Sequence, residues 1–155
     1  MNDIKNRFYA STGTLVGREN NFDYCVITEN AKKIRADGFE LMILRPWYGR
    51  LDEIAKALAD AGVYTPVIHF DKEIGVMLAE GDPKTSEKAL ELFAENVRMA
   101  KMTGAKKSVF HLWGGQKSDG AVDGAIELLP QMKEMCEAAG TELLIENIPC
   151  VYNDP

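Results

Sequence analysis

Two kinds of apolar pattern alternate along this chain. Short, nearly continuous apolar runs are followed by longer stretches whose apolar positions recur every three or four residues. The first pattern suits strands covered on both faces, the second amphipathic helices. Phe8-Tyr-Ala-Ser-Thr-Gly13 reads as a first short strand passing into a loop. Asn20 or Asn21 is placed to cap a helix running to about Asp37, with Cys25, Ile27 or Thr28, Ala31 and Ile34 near one face. Phe39 to Leu44 predicts a second strand and Arg45 to Gly49 its exit loop. Leu51, Ile54, Ala55 and Leu58 then mark a helix from Leu51 to Ala61.

Val63 to Phe70 predicts a third strand, with Pro66 tolerable near its start although it removes one ladder donor. Asp82 and Pro83 supply a capping side chain and a first-turn proline for a long helix striped by Leu90, Phe93, Ala94, Val97 and Ala100. Ala105 to Trp113 is the fourth strand, and Gly114-Gly115 with the polar run to Gly120 forms its exit loop. Val122 to Ala139 is amphipathic again, and Pro130 inside it predicts a kink or a split into two helices. Thr141 to Ile145 is a fifth strand that ends in Glu146, and Pro149 stops its continuation.

Gly38, Gly62, Gly104 and Gly140 each separate a helix from the next strand, a place that suits the left-handed residue after a helix. Strict alternation of strands and helices predicts an α/β fold with a parallel sheet. No linker interrupts the pattern, so residues 1–155 read as a single domain. Gly13-Thr-Leu-Val-Gly17 lacks the glycine spacing of a dinucleotide-binding turn, and there is no phosphate-binding loop. A flavodoxin-like open sheet stays open on pattern alone. The placement of polar residues within the strands favours a barrel.

Side chains alternate along a strand, so His69 shares a side with Val67, His111 with Val109 and Trp113, and Glu146 with Leu144. All three polar groups fall at strand C-termini, where parallel α/β proteins bind ligands. Two imidazoles and a carboxylate are good ligands for a divalent ion, and equally a set of acid, base and electrostatic anchor. Arg45 and Trp47 follow the second strand, and Trp113 ends the fourth. An arginine beside aromatics suits the binding of a phosphate, a carboxylate or a sugar face, so Arg45, Trp47 and Trp113 are candidate substrate-binding residues.

Composition narrows the partners. Hydrophobic residues make up 46% and charged residues 27%, typical of a globular protein. A net charge of -6 disfavours general nucleic-acid binding, which rests on phosphate neutralisation. No apolar run approaches a membrane span, and the N-terminus lacks a signal-peptide core, so a cytoplasmic location is expected. The cysteines are Cys25, Cys136 and Cys150, odd in number and without metal or redox spacing; Cys136 falls on an apolar helix stripe as a small core residue.

Gly38-Phe-Glu-Leu41, the strand ending in His69, Ser108-Val-Phe-His111 and above all Leu143-Leu-Ile-Glu-Asn-Ile-Pro149 occur in an order and spacing that resembles the first part of the xylose isomerase-like TIM-barrel superfamily. This group includes sugar and sugar-phosphate isomerases and epimerases, inosose dehydratase-like enzymes and endonuclease IV. The resemblance implies a partial (β/α)8 TIM barrel of about five parallel strands with flanking helices. It implies that Glu146 is a ligand for Mn, Mg, Co or Zn. It gives His69 and His111 catalytic or substrate-bordering roles in the epimerases, and zinc-ligand roles in endonuclease IV-like members. The implied activity is metal-dependent isomerisation or epimerisation of a small sugar or sugar phosphate. The alternatives are an endonuclease IV-like zinc phosphodiesterase and a non-catalytic half-barrel assembly module.

A complete barrel of this type needs roughly 250 residues, and five strands cannot close. The expectation is therefore a fragment of a longer protein, inactive and without a complete metal site by itself. A pair of copies covering each other's open edges, or a short protein with a rearranged fold, would be the other solutions.

Overall fold

The computed structural model describes residues 7–115 and 122–148; the predicted exit-loop residues from Gln116 to Gly120, together with Pro149 and Cys150, lie outside them. Five strands form one parallel sheet in the order of the chain: β1 (Tyr9–Ser11), β2 (Gly38–Met42), β3 (Val67–His69), β4 (Lys107–Phe110) and β5 (Glu142–Ile145). Among the described residues five α-helices accompany them: α1 (Cys25–Asn30), α2 (Leu51–Asp60), α3 (Lys72–Ala79), α4 (Pro83–Thr103) and α5 (Val122–Ala139). This is a partial (β/α)8 barrel, open after the fifth strand. No described helix is long and apolar enough to cross a membrane.

The two faces of the sheet differ. The alternation puts Phe39, Leu41, Ile43, Ile68, Phe70 and Phe110 on one face, each at most 5% exposed. These residues form the core with Leu51, Ile54 and Leu58 of α2, Ile74 and Leu78 of α3, and Phe93, Met99 and Ala100 of α4. Phe93 stands edge-on between Phe70 and Phe110, with centroids 5.0 and 5.3 Å away. It packs directly behind the C-terminal ends of β3 and β4. The buried hydroxyls of Ser108 and Thr141 on this side satisfy each other at 2.9 Å. The opposite face carries Glu40, Met42, Val67, Val109 and Leu144, all half-buried.

Local chemistry explains where the elements depart from the sequence pattern. The helix expected from Asn20 or Asn21 to Asp37 is only α1, flanked by 3-10 turns at Arg18–Asn20 and Ala31–Lys33. Asn20 spends its side chain on the Gly17 amide and the Leu15 carbonyl. Asn21 and Phe22 have φ of 53° and 58°, so no helix can start through them. Asp71 caps the unpredicted α3 by accepting from the Glu73 amide at 3.1 Å. Asp82 caps α4 as expected, bonding the Thr85 amide at 2.8 Å.

Pro130 neither splits nor ends α5, which runs unbroken past it with the proline ring exposed. Gly62, Gly104 and Gly140 adopt left-handed φ of 69°, 70° and 79°, as their positions after helices demand. Gly38 has a different role. It opens β2, and a Cβ there would lie 2.9 Å from Tyr64 Cδ1 and 3.1 Å from the Tyr64 carbonyl. β3 starts later than the apolar run suggests, at Val67, because Pro66 has no amide to give the ladder.

Candidate metal centre

The register of the sheet builds this site. Met42, His69, Val109 and Leu144 are side-by-side partners across β2 to β5. His111 and Glu146 lie two residues beyond Val109 and Leu144, so their side chains return to the same face one layer higher. The ladder persists to that layer: the Glu146 amide donates to the Phe110 carbonyl at 3.0 Å, and the Phe70 amide to the Val109 carbonyl at 2.9 Å. Glu146 thus reaches back across β4 toward β3.

The three groups converge. Glu146 Oε2 lies 2.9 Å from His111 Nε2 and 3.2 Å from His69 Nε2. The imidazoles meet edge to face with centroids 4.7 Å apart. The one ligand atom that each residue offers lies within 4.8 Å of the other two. Around an ion with bonds of about 2.1 Å, tetrahedral ligand atoms sit about 3.4 Å apart, so the observed spacing fits a divalent metal with small adjustments.

The protonation chemistry also asks for a cation. His69 Nδ1 lies 3.0 Å from the Phe70 carbonyl oxygen, which can only accept, so Nδ1 carries a hydrogen. In a neutral ring Nε2 is then a bare lone pair facing a carboxylate oxygen. A cation held between them would satisfy both groups. Glu146 is held below the ordinary carboxylate range, chiefly by its hydrogen bond to His111, with the neighbouring His69 adding to it and partial burial opposing. It therefore presents a full negative charge at neutral pH.

The surroundings are uneven. His69 is 7% exposed, whereas the Glu146 side chain is 49% exposed. Behind His111, the helix α3 comes so close that a Cβ on Gly75 would lie 2.2 Å from the His111 carbonyl oxygen and 3.0 Å from the Trp113 nitrogen. Gly75 is thus part of the site's support although it touches no ligand. The signal for α3 itself, though not for this contact, was present in the sequence: Asp71 as a cap, then Ile74 and Leu78 one turn apart around a glycine.

The other candidates are placed differently. Trp47 is 2% exposed and its indole N–H donates to the Phe22 carbonyl at 2.7 Å, so it is a core residue and not a wall for a substrate. Arg45 is exposed and lies 3.7 Å from a Glu73 carboxylate oxygen. Trp113 is half-buried three residues past the end of β4, and its indole N–H has no hydrogen-bond partner among the described residues. Cys136 is fully buried in α5, and burial pushes its thiol up to about 12, which makes it unreactive.

Solved structures share this arrangement of strands and helices. A 3-keto-D-glucoside 4-epimerase, YcjR, from E. coli matches with a TM-score of 0.65 at 12% identity, over 91% of this chain and 56% of its own. A D-tagatose 3-epimerase-like protein gives a TM-score of 0.69 at 14% identity, over 93% of this chain and 54% of that one. A Thermus thermophilus protein soaked with ZnCl2 gives 0.63 at 19% identity, over 91% and 55%. At these identities the likeness is one of fold, and the chain spans about half the length of each. No curated protein matches the chain. The family model of the xylose isomerase-like TIM barrel matches residues 28–154, most of the length, and with the five-stranded parallel sheet this places the chain in that family.

Proposed function

We propose that this chain supplies the N-terminal, metal-binding portion of a divalent-metal-dependent isomerase or epimerase acting on a sugar or sugar phosphate. The carrying observation is the convergence of His69 Nε2, His111 Nε2 and Glu146 Oε2 at the C-terminal mouth of the sheet. The sugar epimerases among the fold relatives agree with it. Glu146 would bind the ion as an anionic oxygen ligand. His69 would present Nε2 from a ring already fixed through Nδ1. His111, less buried, would be a third ligand or a donor to a substrate hydroxyl. A bound divalent ion would supply the positive charge that polarises a substrate carbonyl and its neighbouring hydroxyl. Trp113 and Arg45 are the remaining candidates for contact with the sugar. A second copy, or further barrel strands, would cover the open β5 edge.

Calorimetric titration with Mn2+, Co2+ and Zn2+ in turn tests the reading. Stoichiometric binding of at least one ion, weakened tenfold or more in Glu146→Gln, is expected. Absence of binding for all three in the full-length, folded protein overturns it. The two histidines sharing one carboxylate also suit the zinc phosphodiesterase reading. Cleavage of an abasic-site duplex by the full-length protein, without epimerisation of ketohexoses, would select that reading instead.

A further inference from the structure

We propose that Asn96, on α4, is a positioning residue that sets the ring orientation and hydrogen placement of His69 through the peptide joining Phe70 to Asp71. The inference rests on the reading of His69 as a site residue. That peptide unit has two polar ends. Its carbonyl, from Phe70, accepts from His69 Nδ1 at 3.0 Å. Its amide, from Asp71, donates to Asn96 Oδ1 at 3.0 Å. The two bonds share one rigid plane, so fixing the amide end fixes the carbonyl end.

Asn96 is built for this task. It is 0% exposed. Its amide nitrogen donates to Tyr48 Oη at 2.7 Å and to the Leu92 carbonyl at 2.8 Å, which uses both N–H groups. The side-chain amide is thereby prevented from flipping, and Oδ1 must face the Asp71 amide. The series therefore runs in one direction: Asn96 to Tyr48 and Leu92, Asp71 to Asn96, His69 to Phe70. Each bond polarises the next, so an acceptor at Asn96 makes the Phe70 carbonyl a better acceptor for His69. The result is a ring whose Nδ1 is committed as a donor and whose Nε2 is left to face His111 and Glu146. A buried asparagine in a helix interior is otherwise an unfavourable choice, and an apolar residue would pack there.

Nuclear magnetic resonance tests the relay directly, because the chain has only two histidines. In the wild-type protein His69 Nδ1 should carry a hydrogen that resonates downfield and exchanges slowly with water. A bare Nδ1 would overturn the proposal at once. In Asn96→Leu that hydrogen should move upfield and exchange at least tenfold faster. In Asn96→Asp, which keeps an oxygen acceptor for the Asp71 amide, the protection should persist. If Asn96→Leu does not fold, Asn96→Asp and the wild type still decide, since lost protection in Asn96→Asp contradicts the relay. An Asn96→Leu variant that folds and shifts only the Asp71 amide would show Asn96 to be merely structural. Zn2+ affinity should fall about tenfold or more in Asn96→Leu and not in Asn96→Asp. Failure of the wild type to bind Zn2+ would count against the metal reading alone, because the resonance of the His69 ring hydrogen is read without metal.

Discussion

His69 and Glu146 are 3.2 Å apart, yet they belong to two differently constructed halves of one site. His69 ends a strand with a neighbour on each side, is 7% exposed, and stands in front of Phe70, Phe93 and Phe110. Glu146 follows the edge strand, is half-exposed, and has the two imidazoles as its side-chain contacts among the described residues. The histidine half is rigid because the core behind it is rigid. The carboxylate half is held chiefly by attraction to the other half. A site divided in this way separates affinity from stability: changes behind the histidines should cost folding energy, and changes at Glu146 should cost ion binding.

The strongest way to break the contrast is from behind the sheet. Phe93→Ala removes a fully buried ring from between two others and should cost about 3–5 kcal/mol, read by urea unfolding. Gly75→Ala comes next. Its new Cβ would overlap the His111 carbonyl, and relief requires moving backbone, so about 1–3 kcal/mol is expected together with separation of the two imidazoles. Unchanged stability and unchanged histidine resonances in Gly75→Ala would refute the close packing of α3 against the site.

Asp71 sharpens the comparison through pH. Burial, the largest influence, raises its carboxyl above the ordinary aspartate value of 3.8. The native state then binds the proton more tightly than the unfolded chain does. This group's penalty is therefore full at neutral pH and is relieved as pH falls through its raised value toward 3.8. Asp71→Asn keeps the oxygen that caps α3 and removes the buried charge. It should stabilise the protein at pH 7, with the gain shrinking as pH falls through the raised value of the Asp71 carboxyl, read by urea unfolding at a series of pH values. A gain independent of pH would contradict the assignment. The smallest effect belongs to Glu146→Gln, expected to change stability by less than about 0.5 kcal/mol, since the side chain is half-exposed and screened. A large loss of stability there would erase the distinction between the halves.

The division also governs what could be read from the sequence. β2, α2, α4 and α5 follow from apolar periodicity, because each lays a stripe on the same core. His69, His111 and Glu146 could be placed on one face because strand alternation is strict and every strand is parallel. Periodicity fails where capping and backbone conformation take over. Asn20, Asn21 and Phe22 shorten the first helix through local hydrogen bonds and left-handed φ, and α3 is hidden between two apolar runs. Trp47 reads as a candidate substrate-binding residue because it lies in a predicted exit loop, whereas that loop turns inward and the Phe22 carbonyl receives its N–H. Gly75 and Asn96 act through contacts distant in sequence, so no local pattern announces those contacts.

Strand order and chain order coincide in this sheet, and that has a consequence for synthesis. Tyr9 pairs with Gly38, Glu40 with Val67, Val67 with Lys107, and Lys107 with Glu142. Each strand finds its partner in the unit that left the ribosome just before it, so the sheet can grow vectorially without waiting for distant segments. His69 and His111 can therefore be seated on a finished scaffold before Glu146 has been translated. The nascent chain thus acquires the two imidazoles before the Glu146 carboxylate, and this cluster gains its negative charge only once β5 has been made.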